Sequence, residues 1–191
     1  KQLSKELAPA TTRNVLELLR RIINFGFRMR LSQQLGFLIE MPKVLNERIE
    51  VLSDEQLEAL YEAWNDYPDK HIVHRHKLIA WTGMRPSEID RLEWTDIDFR
   101  HGVMTKRDTK PGKDKPLRMN ETVTTILNEQ RDLLDSETDM IKNSVFVFPK
   151  STGGKGRTDS WTPKVKEFMK RAGITDSRPN YCLRDTIAST L

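Results

Sequence analysis

The sequence predicts a mainly α-helical protein with a small antiparallel β-sheet. Residues 11–30, 53–64 and 121–135 carry apolar side chains at helical spacing, which is typical of helices with one buried face. Residues 102–108 and 115–119 are short segments on either side of a Pro-Gly turn, which predicts a β-hairpin. Long amphipathic helices with a single hairpin between them indicate this fold class.

The composition excludes several classes of protein. The chain has 191 residues, of which 37% are hydrophobic and 31% charged, enough for a core under a soluble surface. No apolar run is long enough to span a bilayer and no signal-peptide pattern opens the chain, so we expect no membrane partner and a cytoplasmic location. Cys182 is the only cysteine, which excludes a disulfide framework and a cysteine-based zinc site.

The basic residues are unevenly distributed along the chain. The formal net charge is +4, yet residues 101–118 hold six Lys or Arg against two acids, and residues 150–171 hold seven against two. Residues 49–69, by contrast, hold seven acids and no Lys or Arg. Two basic segments are compatible with a surface that binds a polyanion. On charge alone, lysine-rich faces that merely contact solvent are an equal alternative.

Residues 78–99 form the stretch around which the chain is organised. An apolar helix is predicted to end at Thr82-Gly83, and a second helix to begin near Pro86, with Glu88 in its first turn. The second helix is expected to bury Ile89, Leu92 and Trp94. Arg85 then lies between two packed helices, which is a rigid mount for a guanidinium group.

Three motifs resemble those of the tyrosine recombinases, the phage integrase family. Residues 82–98, T-G-M-R-P-S-E-I-D-R-L-E-W-T-D-I-D, resemble the first arginine box of this family and contain Arg85. Residues 109–115, T-K-P-G-K-D-K, resemble the hairpin turn that carries the family's catalytic lysine, here Lys110. Residues 180–191, N-Y-C-L-R-D-T-I-A-S-T-L, resemble the second box, with Arg184 in register. An ordinary helix–turn–helix with a surface arginine is the alternative for the first motif.

The second box departs from the family pattern at two positions. Tyr181 stands where the family usually has its catalytic histidine, and Asp185 where it has a second histidine. Tyrosine is a poor base near neutral pH because its ordinary pKa is about 10, but its hydroxyl can bond to a phosphate oxygen. We therefore expect Tyr181 to be a phosphate contact and not the nucleophile.

The resemblance implies the catalytic-domain fold of these DNA breaking-rejoining enzymes and their chemistry. Arg85 and Arg184 are expected to hold the phosphate under attack, because two guanidinium groups stabilise the charge that it gathers. Lys110 is expected to protonate the departing 5′ oxygen. The implied function is site-specific DNA recombination and integration through a 3′-phosphotyrosine intermediate, without a cofactor or metal. The nucleophilic tyrosine is expected beyond Leu191, so the chain itself is expected to be inactive.

The resemblance also implies a domain organisation and a partner. Residues 1–47 are expected to be the last helix of a core-binding domain plus a linker, and residues 48–191 the catalytic domain, incomplete at its C-terminus. The expected partner is double-stranded DNA, bound by a homotetramer of the full-length parent, which would be bacterial or phage-encoded and nucleoid-associated. The candidate DNA-binding residues are Lys106, Arg107, Lys113, Lys115, Lys155 and Arg157.

Two other functions remain open at this point. A DNA-binding protein of the same fold that has lost catalysis would explain Tyr181 and Asp185. A helical scaffold protein without nucleic acid is disfavoured by the ordered series of Arg85, Lys110 and Arg184.

A cluster of three histidines precedes the first arginine box. His71, His74 and His76 suggest a metal site, but no nearby Glu or Cys completes a set of ligands. We therefore expect them to be polar residues on the surface of a helix.

Overall fold

The computed structural model describes residues 7–33, 36–44, 51–107, 114–156, 158–175, 181–184 and 186, with residues 158–160 described through their backbone only. The chain divides into two compact units, Lys1–Arg48 and Ile49–Leu191.

The first unit is built on one long helix, α1, at Pro9–Arg28. The helix predicted over residues 11–30 is confirmed, with its bounds shifted by two residues. It ends because Arg30 adopts a left-handed conformation with φ 60°, and the Leu31 N–H then donates to the Gly26 carbonyl at 2.9 Å. Most of its large apolar side chains are exposed, including Leu18 and Ile22 at 59% and 58%.

The second unit contains the remaining elements. Its helices are α2 at Asp54–Asp66, α3 at Lys70–Thr82, α4 at Pro86–Ile89, α5 at Glu121–Asp135, α6 at Asp139–Lys142 and α7 at Thr158–Arg171, with a 3-10 turn at Trp94–Asp96. Its strands are β1 at Ile97–Asp98, β2 at Val103–Lys106 and β3 at Lys115–Arg118. The strands form one antiparallel sheet in the order β1-β2-β3, with Lys106 opposite Lys115. The mainly α fold with a small antiparallel sheet is therefore confirmed.

Polar side chains fix where the long helices begin. Ser53 and Gln56 form a capping box at the start of α2, because the Gln56 N–H donates to Ser53 Oγ at 3.3 Å and the Ser53 N–H donates to Gln56 Oε1 at 3.0 Å. Asp69 and Asn120 accept from backbone N–H groups at the starts of α3 and α5. Each cap satisfies a donor that the first helical turn leaves unpaired.

Two core clusters of buried side chains hold the second unit together. The first core cluster joins α2, α3 and α7 to the last described residues, and includes Leu60, Trp64, Ile72, Phe168 and Leu183. The second core cluster joins α3, the sheet and α5, and includes Ile79, Ile89, Met104, Leu127 and Val147. Because α3 contributes side chains to both clusters, it is the central helix of the unit.

The second helix predicted after Gly83 is much shorter than expected. It ends at Ile89, so Leu92 and Trp94 follow it and do not lie on it. The Trp94 N–H donates to the Val145 carbonyl at 3.0 Å, and the Val147 N–H donates to the Leu92 carbonyl at 2.9 Å. These hydrogen bonds to a distant segment hold Glu93 extended before the 3-10 turn, where a longer helix would have continued.

Helix α7 begins at Thr158 and contains Pro163. Residues 145–148 include a short extended run, in which Val147 and Phe148 are buried. Among the helices in the described part of the chain, none is long and apolar enough to cross a bilayer.

A buried ion pair joins α3 to the residue that follows α4. The Arg75 side chain is completely buried, its Nε donates to Asp90 Oδ1 at 2.8 Å, and its Nη2 lies 2.7 Å from the same oxygen. Nη2 also donates to the Pro86 carbonyl at 3.4 Å. Burial lowers the pKa of Arg75, and the carboxylate of Asp90 opposes that change. The pair fixes the short helix α4 against the central helix.

Removing one partner of this pair is expected to destabilise the second unit. Asp90→Ala leaves a guanidinium group buried without its counter-charge, so the free energy of unfolding should fall by about 3–5 kcal/mol. Urea unfolding followed by circular dichroism measures the change. The double variant Arg75→Met/Asp90→Leu should recover most of it, because an apolar pair of similar volume needs no compensation.

The matched control is an ion pair on the surface. Lys164 and Asp69 are 2.9 Å apart and partly exposed, so Lys164→Met should cost less than about 1 kcal/mol. An equal loss in Lys164→Met and Asp90→Ala would contradict a special role for the buried pair.

Candidate functional site

The backbone around Arg85 is fixed on both sides. Gly83 ends α3 with φ 62°, and its N–H donates to the Ile79 carbonyl at 3.0 Å. Met84 and Pro86, the two neighbours of Arg85, are buried. The Arg85 side chain is nevertheless 54% exposed. The predicted rigid mount is therefore present, with an anchored backbone and a guanidinium group that reaches solvent.

One carboxylate holds Arg85 and a lysine of the sheet together. Glu88 Oε2 accepts from the Arg85 backbone N–H at 2.7 Å, and Glu88 Oε1 lies 3.0 Å from Arg85 Nη1. Lys106, the last residue of β2, places its Nζ 2.9 Å from Glu88 Oε2. Burial by itself raises the pKa of Glu88, but the hydrogen bonds from the Arg85 backbone, Lys106 and the Arg85 side chain outweigh it and lower the pKa. Glu88 is therefore a carboxylate that brings Arg85 and Lys106 together.

Arg107 binds a second pair of carboxylates. Its Nη1 and Nη2 donate to the two oxygens of Glu93, each at 3.0 Å, and its Nε donates to Asp96 Oδ1 at 2.6 Å. The carboxylates of Asp96 and Glu93 raise the pKa of Arg107. Arg107 thus attaches the end of β2 to the 3-10 turn, and its contact with DNA stays a prediction.

Arg184 follows two buried residues of the first core cluster. Cys182 and Leu183 are 0% and 1% exposed, and Arg184 itself is half-buried. Thr186 Oγ1 donates to the Cys182 carbonyl at 2.7 Å and accepts from the Leu52 N–H at 3.0 Å. The second box is thereby attached to the start of α2.

Both arginines follow a residue that packs against α3. Arg85 follows Met84 of the second core cluster, and Arg184 follows Leu183 of the first core cluster. Helix α3 contributes side chains to both clusters. Tyr181 is 43% exposed.

The remaining predicted site residues fall into two groups. Lys115 and Lys155 are exposed. The predictions for Lys110, Lys113 and Arg157, together with that for Asp185, fall outside the described residues.

Two of the three histidines are buried, so the prediction that they lie on the surface is wrong. His74 and His76 are 7% and 0% exposed. His76 Nδ1 accepts from Trp64 Nε1 at 3.1 Å inside the first core cluster. Within the part of the chain that the structure describes, no group of three or more His, Cys, Asp or Glu side chains is arranged to hold a metal ion.

One buried amide fixes the protons of the other two histidines. Gln130 Nε2 donates to the Val147 carbonyl at 3.0 Å and to His71 Nδ1 at 3.0 Å. Gln130 Oε1 then faces His74 Nδ1 at 3.1 Å. Because an amide oxygen only accepts, His74 must carry its proton on Nδ1. The second ring nitrogen of neutral His74 therefore has a lone pair toward Glu129, 3.4 Å away.

The buried pair has a signal in the sequence. Arg75 is a charged residue in a helix that is otherwise apolar or histidine-bearing at its buried positions. A buried charge needs a partner, and Asp90 follows the apolar Ile89 of the first box. The Lys106–Glu88 and Arg107–Asp96 pairs gave no comparable local signal.

Comparison with known proteins identifies the family. A sequence profile of the phage integrase family matches residues 50–191, which is most of the chain. The chain therefore belongs to the phage integrase family, and the resemblance seen in the boxes is confirmed.

Individual relatives agree with this assignment. Tyrosine recombinase XerA of Pyrococcus furiosus is 29% identical over 140 residues, which cover 70% of this chain and 45% of XerA. The chain thus spans about half the length of this relative.

Solved structures show the same fold. The Tn1549 transposon integrase in complex with circular intermediate DNA matches with a TM-score of 0.81 at 18% identity, covering 100% of this chain and 69% of that one. A lambda integrase tetramer bound to a Holliday junction matches with a TM-score of 0.75 at 15% identity, covering 98% and 53%. The fold is that of the catalytic domains of tyrosine recombinases.

The stability of the protein is expected to fall as His74 becomes protonated. Burial lowers the pKa of His74, and the hydrogen bond that His74 donates to Gln130 and the charge of Glu129 offset this only in part, while Lys77 and His71 lower it further. The folded pKa therefore lies below the unfolded value of about 6.5, so the unfolded state binds more protons below that pH. The free energy of unfolding should decrease as pH falls from 7 to 5.

Urea unfolding at a series of pH values measures this dependence. His74→Gln keeps an amide donor toward Gln130 without a titratable ring, and should flatten the curve between pH 7 and 5. His101→Gln replaces an exposed histidine and should leave the decrease in place. If the free energy of unfolding still decreases in His74→Gln, another titratable group causes the decrease.

Proposed function

We propose that residues 48–191 are the larger part of the catalytic domain of a tyrosine-type site-specific recombinase. The parent protein cleaves and rejoins double-stranded DNA during recombination or integration. The observation that carries the proposal is the mount of Arg85, whose backbone is fixed between buried neighbours while its guanidinium group stays exposed. Family membership and the shared fold support the same function.

The chemistry follows from what two arginines can do at a phosphodiester. A tyrosine oxygen attacks the phosphorus, a P–O bond to the tyrosine forms, and the bond to the 5′ oxygen breaks. The negative charge that gathers on the non-bridging oxygens is stabilised by Arg85 and Arg184, since guanidinium groups bind such oxygens in a bidentate manner. Lys110 gives its proton to the departing 5′ oxygen. The 3′-phosphotyrosine link conserves the energy of the cleaved phosphodiester bond for rejoining, so the reaction needs no cofactor.

None of the tyrosines in this sequence suits the role of nucleophile. Tyr67 is buried and donates to Glu167 at 3.1 Å, and burial raises its pKa. Tyr61 lies on α2, where its ring packs edge-on against Trp64. Tyr181 occupies the position of the family's histidine, three residues before Arg184. We propose that the nucleophile belongs to a segment of the parent protein that follows Leu191.

Double-stranded DNA is the proposed partner. Lys115 and Lys155 are exposed and belong to the two basic segments, as do Lys113 and Arg157. We propose that these four residues neutralise backbone phosphates on either side of the reaction site. The DNA complexes of two structurally similar integrases support this partner, and the lambda tetramer supports a tetramer of the full-length parent on DNA. Such a protein would act in the cytoplasm of a bacterium, on the nucleoid or on phage DNA.

Residues 1–47 are proposed to be the last helix of a core-binding domain followed by a linker. The exposed apolar side chains of α1 support this assignment, because a helix with such a face is stabilised by packing and not by propensity. In the parent protein that face would pack against other helices of the same domain.

A catalytically inactive DNA-binding protein of the same fold is the second candidate. Tyr181 favours it, because a tyrosine stands where the family usually has its catalytic histidine. Formation of a covalent adduct separates the two candidates.

The chain is expected to bind duplex DNA chiefly through phosphates. The logarithm of the association constant should fall linearly with the logarithm of salt concentration, with a slope of about −0.9 per phosphate neutralised. Fluorescence anisotropy with a labelled duplex at several salt concentrations measures the slope. Absence of binding at low salt, or binding that is indifferent to salt, would contradict the proposal.

A covalent link to DNA is expected only when a tyrosine that follows the second box is present. The chain ending at Leu191 should give no shifted band with a nicked suicide duplex on a denaturing gel. A form extended through the next tyrosine of the parent should give the band, and phenylalanine at that tyrosine should abolish it.

Tyr181→Phe in the extended form is the control. It should leave the band in place, because Tyr181 contacts phosphate without forming a bond to it. Covalent attachment of the chain ending at Leu191, removed by Tyr181→Phe, would instead show that Tyr181 is the nucleophile. An extended form that binds DNA but never forms an adduct would favour the inactive DNA-binding protein.

A further inference from the structure

Two consecutive basic residues at the end of β2 bind carboxylates of the protein. Lys106, the last residue of β2, binds Glu88, and Arg107, which follows the strand, binds Glu93 and Asp96. All three acids belong to the segment that carries Arg85. These contacts attach the end of the strand to the first arginine box.

The Lys106–Glu88 contact is the one that reaches Arg85. The Glu88 side chain is only 12% exposed, and its two oxygens take three donors, of which two come from Arg85 and one from Lys106. The Lys106 side chain is 27% exposed, against 54% for Arg85. Lys106 therefore pairs its charge with Glu88, whereas more than half of the Arg85 side chain is exposed.

The charge of Glu88 explains why a lysine is needed there. A carboxylate beside a phosphate-binding guanidinium group repels the phosphate unless its charge is neutralised. Lys106 supplies the neutralising charge and also holds Glu88 in place. Glu88 in turn takes only Nη1 of the Arg85 side chain, which leaves its other N–H groups for a phosphate. The contact between Lys106 and Glu88 thus helps to orient Arg85 and keeps the Glu88 charge from cancelling that of Arg85.

We propose that Lys106 is a positioning residue, which orients Arg85 through Glu88 in place of the direct DNA contact that the sequence predicted. The inference rests on the proposed function, because it concerns how Arg85 meets a DNA phosphate. It makes Lys106 and Arg85 one coupled unit in DNA binding. A lysine that contacts phosphate directly would instead contribute independently of Arg85.

A double-mutant cycle in DNA affinity tests the coupling. Lys106→Gln should weaken DNA binding about tenfold, which is the size of effect expected for two coupled residues. The slope of the logarithm of the association constant against the logarithm of salt concentration should not change. In an Arg85→Ala background the same substitution should have little effect. Lys106→Arg keeps the charge and a donor, and should restore most of the affinity. Thermal unfolding of each variant shows whether the protein stays folded at the temperature of the assay.

Lys115→Gln is the matched control, because Lys115 lies opposite Lys106 in the sheet and is exposed. If Lys115 contacts a phosphate, Lys115→Gln should reduce the magnitude of the salt slope by about 0.9. Its loss of DNA-binding free energy should add to that of Arg85→Ala. The proposal is overturned if Lys106→Gln behaves in this way. It is also overturned if Lys106→Gln leaves the affinity of the wild-type background unchanged.

A second measurement needs no DNA and separates failure of this inference from failure of the proposed function. The Arg85 Nε–H resonance in a nitrogen-15 spectrum, assigned by its loss in Arg85→Lys, should shift in Lys106→Gln and in Glu88→Gln but not in Lys115→Gln. A protein that binds no DNA yet shows these shifts would refute the recombinase proposal and retain the link from Lys106 to Arg85. An Arg85 resonance unmoved by Lys106→Gln would refute the link.

Discussion

The buried ion pair between Arg75 and Asp90 is the constraint on which the site depends. Helix α4 has only four residues and lacks the length to hold an orientation by packing alone. Arg75 binds both the side chain that follows α4 and the carbonyl of its first residue, so the short helix is attached to α3 at both ends. Taking two charges out of water is costly, and an apolar pair of similar volume is often at least as stable. The pair is therefore better explained by the orientation it gives to the segment of Arg85 than by its net contribution to folding.

Electrostatic neutralisation within the protein changes the meaning of its basic segments. Lys106 and Arg107 add to the positive charge of residues 101–118, yet both are engaged by acids of the first box. The field that a phosphate would meet here therefore comes from basic side chains without carboxylate partners, and from Arg85, which shares Glu88 with Lys106. Charge counted along a sequence overstates the charge that a ligand meets, because a lysine next to a carboxylate acts at a distance mainly as a dipole.

Local patterns predicted the parts of this structure that local physics determines. Helical spacing located α1 and α2, and the Pro-Gly turn located the hairpin. The motif residues identified Arg85 as an arginine on a fixed backbone. The patterns failed where a partner distant in sequence decides the outcome. Trp64 and Gln130 make His76 and His74 buried members of hydrogen-bonded pairs, and residues 145–147 draw residues 92–94 out of a helix. Contacts of this kind depend on the tertiary fold, and no spacing within one segment reveals them.

The edge of the sheet limits how this protein can associate. In the described part of the chain β3 is an edge strand, and its sequence is Lys-Pro-Leu-Arg. Proline lacks the N–H group that a further strand would need, and the flanking cations repel a similar strand from a second molecule. Extension of the sheet from one molecule into the next is therefore disfavoured at β3. Self-association without DNA through cross-strand pairing, the usual route to β-aggregates, is blocked at the same edge that carries the exposed lysine.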